Sequence, residues 1–329
     1  LWAGKPKQMI EAIYRIRPSC HQAVWGGTKL LTEYRQPAEE NTCAESWVLS
    51  AHENGSATLE SGEMAGERFS DWIMGEGAST LGTHGKEFER FPVLIKFIDA
   101  ATPLSVQVHP DDAFAWEHEH EYGKTEMWLI LQSEPGAFLY FGVEQDLSPE
   151  EVRQRAENGT LEDVLHKEAV HPGDVFFIKA GTIHAIGAGI TLCEIQQNSN
   201  TTYRLYDYHR RDKEGHLREL HLDKALRVSC LQKMETGPSH LQPETIPGGC
   251  RTLLGQCRYF VSERYDCDTA CDIPLGEDSF RSLVVISGEG SLTVNGQRME
   301  ARQGDSFYVP AQKGCCRMEG TFSVCVTRV

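Results

Sequence analysis

The sequence predicts an all-β fold with added helices, built as two β-barrels of which the earlier one carries the chemistry. Three observations predict it. Short apolar stretches recur with Gly, Pro and Asp between them, which is the pattern of an antiparallel β protein. One block occurs twice: His171–His184 reads HPGDVFFIKAGTIH and Arg302–Cys315 reads RQGDSFYVPAQKGC, the mark of a duplicated unit. A segment at 233–247 rich in Pro, Thr, Ser and Gly separates the copies, dividing the chain into residues 1–235 and 236–329.

Within the first part, strands are expected at Pro92–Asp99, Leu104–His109, Met127–Leu131, Ala137–Phe141, Val175–Ile178 and Ile190–Ile195. Ser148–His166 reads as helix, with Ser148 as cap, Glu150 and Glu151 in the first turn and a break at Gly159. Further helices are expected at Pro6–Ile16 and Glu219–Ser229. In the second part the expected strands are Arg258–Arg264, Ser282–Ile286, Gly290–Val294, Ser306–Val309 and Phe322–Val326. Asn295-Gly296 between two of them suits a type I′ hairpin.

The bulk numbers narrow the function. The 329 residues are 40% hydrophobic and 24% charged, an ordinary globular balance. Net charge is −16. Such a surface repels nucleic acid and anionic membranes, so the expected partner is a small molecule. An anionic substrate would need a local basic pocket set against that field. No run of about 18 apolar residues occurs, and no secretory signal is expected. The eleven cysteines are odd in number and lack a paired C-x-x-C spacing. They read as reduced thiols of a cytoplasmic protein, mostly small buried apolar residues. Sequence leaves monomer and homodimer equally open.

A set of polar residues carries the chemistry. Gln107 and His109 stand two apart in QVHP, and alternation puts both on one face of a strand. Lys124 and Glu126 repeat that spacing in KTE, and His184 ends the first copy of the duplicated block. Two imidazoles, a carboxylate and an amide oxygen form a nitrogen/oxygen donor set that suits Zn²⁺ best and also admits Mn²⁺, Fe²⁺ or Co²⁺. The second copy has Cys315 at the place of His184 and Arg281 near the place of Glu126, so that barrel is expected to lack the metal. His118 and His120 read as solvated residues of a surface helix.

The P-G-D turn, following strand and closing His are similar to the second motif of the cupin superfamily, whose fold is the jelly-roll barrel. The chain further resembles class I mannose-6-phosphate isomerase in its short bacterial form. The matching pieces are Trp25-Gly26-Gly27, Glu45-Ser46-Trp47, Lys96, the block Leu104–Pro110, Lys124 with Glu126, Ala180–Ala185 and Thr201–Asp207. The resemblance implies one Zn²⁺ per chain held by Gln107, His109, Glu126 and His184. It implies catalytic roles for Arg204 and Glu194, and substrate contacts from Lys96, Ser105 and Lys124. The implied reaction interconverts mannose 6-phosphate and fructose 6-phosphate through an enediol. Two positions depart from relatives: Asn200 stands where Asp is frequent, and Ile186 where longer relatives have Tyr. The resemblance therefore does not fix the proton-transfer base. The alternatives are a non-catalytic sugar-phosphate-binding cupin and an iron dioxygenase. Trp25-Gly26-Gly27 and Trp47 are expected to serve packing.

Overall fold

The computed structural model describes residues 10–211, 214–235 and 237–329. Two sheets form the first barrel. One carries six strands, ordered Val175–Ile178, Glu126–Ser133, Ile190–Gln197, Val93–Ala100, Glu45–Leu49 and Ser19–His21. The other carries five, ordered Tyr203–Tyr206, Val106–Val108, His184–Ile186, Phe138–Val143 and Leu165–Ala169. Val93–Ala100 and Ile190–Gln197 are buried along their whole length, so their polar residues, Lys96 and Glu194 among them, are buried too. A ten-stranded sheet forms the second barrel, with its own apolar core around Leu283, Phe307 and Val324.

Duplication is visible in the backbone. Gly173 and Gly304 both take positive φ, 94° and 92°, which glycine adopts without strain. In each turn the Asp carboxylate accepts from the N–H three residues earlier, Asp174 from His171 and Asp305 from Arg302. The strands that follow pair in the same register: Ile178 lies opposite Glu126, and Val309 opposite Arg281. Arg281 thus occupies the place of Glu126, as the sequence alignment of the copies expected. Its guanidinium donates to the carbonyls of Ser279 and Phe280.

Helix expectations fare unevenly. Pro149–Asn158 is helical with Ser148 as its cap, and Gly159 closes it in the left-handed region. Beyond Gly159 the chain is not a second helix but a short 3₁₀ turn, Leu161–Val164, and an edge strand, Leu165–Ala169. The helix expected at Pro6–Ile16 is corrected. Residues 6–9 lie outside the described residues, and Tyr14–Arg17 is a strand that pairs with Ser306–Val309 of the second barrel. Tyr14 and Ile16 are buried there and Arg17 is exposed, a period of two that an apolar count over the whole segment obscured. Glu219–Ser229 shortens to Leu222–Val228 because Glu219 and His221 bond to Arg204 instead. The strands expected at Ser282–Ile286 and Gly290–Val294 are one strand, Arg281–Val294, bent by a register shift between Val285 and Ser287. Asn295 and Gly296 both have positive φ, as a type I′ turn requires.

Candidate metal centre and substrate cavity

The two sheets of the first barrel present facing rows of polar side chains. On the five-stranded sheet Arg204 is paired with Gln107, and Gln107 with His184. On the six-stranded sheet Lys96 is paired with Glu194, and Glu194 with Trp128. Glu126 begins the strand that also carries Trp128, and His109 directly follows Val106–Val108. Period-two alternation aims these side chains into the barrel.

His109, Glu126 and His184 converge: one ligand atom from each lies within 4.8 Å of the others. All three are almost wholly buried. The second ring nitrogens settle which atoms face the centre. His109 Nδ1 is 3.0 Å from the Thr201 carbonyl and His184 Nδ1 is 2.9 Å from the Thr182 carbonyl. A carbonyl only accepts, so each Nδ1 carries the proton and each Nε2 offers a lone pair inward. Burial, reinforced by the Lys124 ammonium, holds both imidazoles neutral; His109 is pushed well below its ordinary value and His184 down to about 4.

The donor set fits a cation. Glu126 Oε1 is buried without a hydrogen-bond partner and stands 3.4 Å from the lone pair of His184 Nε2. With Glu126 ionised, two acceptors face each other in a dry site, which costs free energy unless a positive charge lies between them; burial, then the Glu194 carboxylate, accordingly pushes the Glu126 carboxyl up to about 8 in the absence of a metal. Lys124 already supplies one such charge, donating to His109 Nε2 at 2.9 Å and to Glu126 Oε2. Gln107 reaches the same place, its Nε2 atom 3.4 Å from His184 Nε2.

Lys96, Ser105, Gln107, Lys124, Glu194 and Arg204 line one cavity of about 290 Å³, and Gln107 and Lys124 join it to the His109–Glu126–His184 centre. Lys96 is buried, 3.2 Å from Glu45 and 3.3 Å from Glu194. Burial works to lower its pKa, but the Glu45 and Glu194 carboxylates outweigh it and hold the ammonium above its usual range. Burial likewise works to raise Glu194; the Lys124 and Lys96 ammonium groups and a 2.9 Å hydrogen bond from Trp128 Nε1 reverse this and hold it ionised. Arg204 donates to the Glu219 carbonyl at 2.7 Å, and its Nε is buried without a partner. Burial, then the neighbouring Arg218, lowers its pKa.

Sequence reasoning missed two charged residues of this cavity, Glu45 and Arg218. Glu45 had a signal. It alternates with Trp47 on one strand, its carboxylate accepts from Trp47 Nε1 at 2.7 Å, and the Trp47 ring lies 5.0 Å from the Lys96 ammonium. Arg218 sits on a loop with no periodicity to mark it. Trp25 also lines the cavity, with Ile186 and Asn200, while the glycines after it serve packing. A Cβ on Gly27 would lie 2.3 Å from the Asp99 carboxylate, and one on Gly26 2.7 Å from Ala44.

Residues 13–128 match the family described as phosphomannose isomerase type I, catalytic domain, and residues 251–329 match the mannose-6-phosphate isomerase cupin domain. A mannose-6-phosphate isomerase of Streptococcus mutans is 35% identical over 305 residues, covering 92% of this chain and 93% of its own. The crystal structure of the mannose 6-phosphate isomerase from Bacillus subtilis superimposes with a TM-score of 0.90 at 30% identity, covering 97% of this chain and all of its own. A zinc-bound mannose 6-phosphate isomerase shares the fold at a TM-score of 0.76 and 18% identity. With its two cupin barrels and its buried His–Glu–His centre, the chain belongs to the type I mannose-6-phosphate isomerase family.

Proposed function

We propose that this protein is a zinc-dependent aldose–ketose isomerase that interconverts mannose 6-phosphate and fructose 6-phosphate. The observation that carries the reading is the centre itself: two neutral imidazoles and an orphaned carboxylate oxygen converge at one wall of a charged cavity. His109, Glu126 and His184 would hold the metal, with Gln107 as a further ligand. When bound, the ion supplies Lewis-acid polarisation and orientation of sugar oxygens.

The reaction opens the sugar ring and moves a proton between C1 and C2 through an enediol. Arg204, a permanent planar cation beside Gln107 in the sheet, stabilises the enediolate charge developing on O1 and O2. Lys96 is balanced by Glu45 and Glu194, and Lys124 is held at the metal centre by His109 and Glu126, so both serve as donors to sugar oxygens. Ser105 offers a hydroxyl to the same cavity. Glu194 fixes Lys96 and keeps the floor of the site anionic beneath the cations.

The eleven thiols are all free, which supports a reducing, cytoplasmic setting. No described helix is long and apolar enough to cross a membrane.

The test is a coupled assay for fructose 6-phosphate on purified protein, run with elemental analysis before and after chelation. One zinc per chain and loss of turnover on its removal are expected. Full activity without metal would refute the role of the centre. Tight mannose 6-phosphate binding without turnover would leave a sensor instead of an enzyme.

A further inference from the structure

The cavity holds four cationic side chains, and their partners differ. Lys96 faces Glu45 and Glu194, and Lys124 faces Glu126. The Lys96 ammonium is therefore neutralised before a substrate arrives, and Lys124 is engaged at the metal centre by His109 and Glu126. The arginines are held differently. Among the described residues the Arg204 guanidinium donates to the Glu219 carbonyl, while the Asp207 and Glu219 carboxylates act on it only at longer range. Arg218 and Arg210 converge on one carboxylate oxygen, Asp207 Oδ1, which is thus divided between two guanidinium groups. A phosphate dianion entering a protein of net charge −16 must go where positive charge is in excess.

The loop that carries Arg218 is built to hold it there. Asp207 is buried, 4% exposed, and anchors Arg218 at 3.3 Å. Arg210, on the same carboxylate, donates to the Pro103 carbonyl, two residues before Ser105, which also lines the cavity. On the far side of Arg218, His221 N–H donates to the Arg204 carbonyl at 2.8 Å. The loop is thus tied at one end to the Ser105 segment and at the other to the Arg204 strand. Arg204 is in turn tied by register to Gln107 and the metal centre. Arg204 sits beside Gln107 and the metal centre, whereas Arg218 sits on the loop tied to the Ser105 segment, so the two guanidinium groups are held over different parts of the cavity.

We infer that Arg218, aimed by Asp207, is the phosphate-binding residue of this site, with Ser105 as a neutral co-donor, while Arg204 serves the reacting carbons. The assignment rests on the sugar-phosphate reading above. It places the phosphate at the arginine loop and not on Lys96 or Lys124.

Steady-state kinetics on the full metal-loaded chain test it. In Arg218→Ala, kcat/KM for mannose 6-phosphate falls about tenfold or more, carried by KM rather than kcat, as loss of uniform binding requires. Inhibition by inorganic phosphate weakens by a similar factor. Arg218→Lys keeps the charge without the fork and regains part of both losses; it also serves if the alanine variant folds poorly. An unchanged KM and phosphate inhibition in Arg218→Ala would overturn the assignment, as would a fall confined to kcat, or an Arg218→Lys variant no better than Arg218→Ala. Titration of wild type and Arg218→Ala with inorganic phosphate separates this from the wider reading. Should the wild type not turn over mannose 6-phosphate, a phosphate affinity that still depends on Arg218 would uphold the anion site and sink the isomerase.

Discussion

His109 and His184 show how one residue type is given one role. Each imidazole donates Nδ1–H to a backbone carbonyl, so the inward nitrogen is a lone pair whatever happens around it. Burial then keeps the ring neutral. A consequence can be measured in metal-free protein. The unfolded chain titrates His184 at its ordinary 6.5, the folded chain only at about 4. The folded pKa is depressed, so the contribution of His184 to stability is fully present above pH 6.5 and erodes as pH falls from there towards 4. Urea unfolding of wild type and His184→Gln across that window, with chelator present, should give a steeper pH slope for wild type; parallel slopes would refute it. Arg204 calls for a different readout. Arg204→Ala is expected to lower kcat by a factor on the order of 100 to 1,000, with metal content by elemental analysis and far-UV circular dichroism unchanged. Near-normal kcat would remove Arg204 from the chemistry.

At the scale of elements, the site depends on how closely the segment around Trp25 lies against the strand Val93–Ala100, which carries Lys96. Gly26 bridges to Ala100, and the Asp99 carboxylate, just under Gly27, accepts from the Lys29 N–H at 2.8 Å. A side chain at position 27 would push this carboxylate aside. Gly27→Ala is therefore expected to cost about 2 kcal/mol by denaturant unfolding, the size of a buried overpacking defect, and to raise KM by shifting Trp25 at the cavity wall. A variant as stable as wild type would mean that the segment can slide. Glycines at 26 and 27 are legible in the sequence; the reason for them is not, because Ala44 and Asp99 come near only when the sheet is assembled.

For the whole molecule, a buried cluster joins the two barrels besides the core each has of its own. Tyr14–Arg17 leaves the first part of the chain to join the sheet of the second. Tyr308, fully buried, packs against Phe69, Trp72 and Phe280. A single buried cluster runs from Val93 and Ile195 in the first barrel to Leu254, Val284 and Cys325 in the second. Calorimetry is accordingly expected to show one unfolding transition rather than two. Tyr308→Ala should lower that single transition, by about 3 kcal/mol or more. Two separable transitions, with only one moved by the substitution, would show that the barrels are independent.

By itself the sequence determined the chemical inventory: the donor atoms at Gln107, His109, Glu126 and His184, the cations Lys96, Lys124 and Arg204, and the duplicated turn with Arg281 and Cys315 in its second copy. These are local facts, written as side-chain type and a spacing of two, and a strand reads them out unchanged. What only the tertiary structure decided is which charges cancel. Glu45 neutralises Lys96 from a neighbouring strand, and Asp207 splits itself between Arg210 and Arg218 on a loop without period. Tyr14–Arg17 likewise chose a sheet nearly 300 residues away in the chain. Such pairings are set by Coulomb energy and burial between groups distant in sequence, and neither has a value until the chain has closed around them.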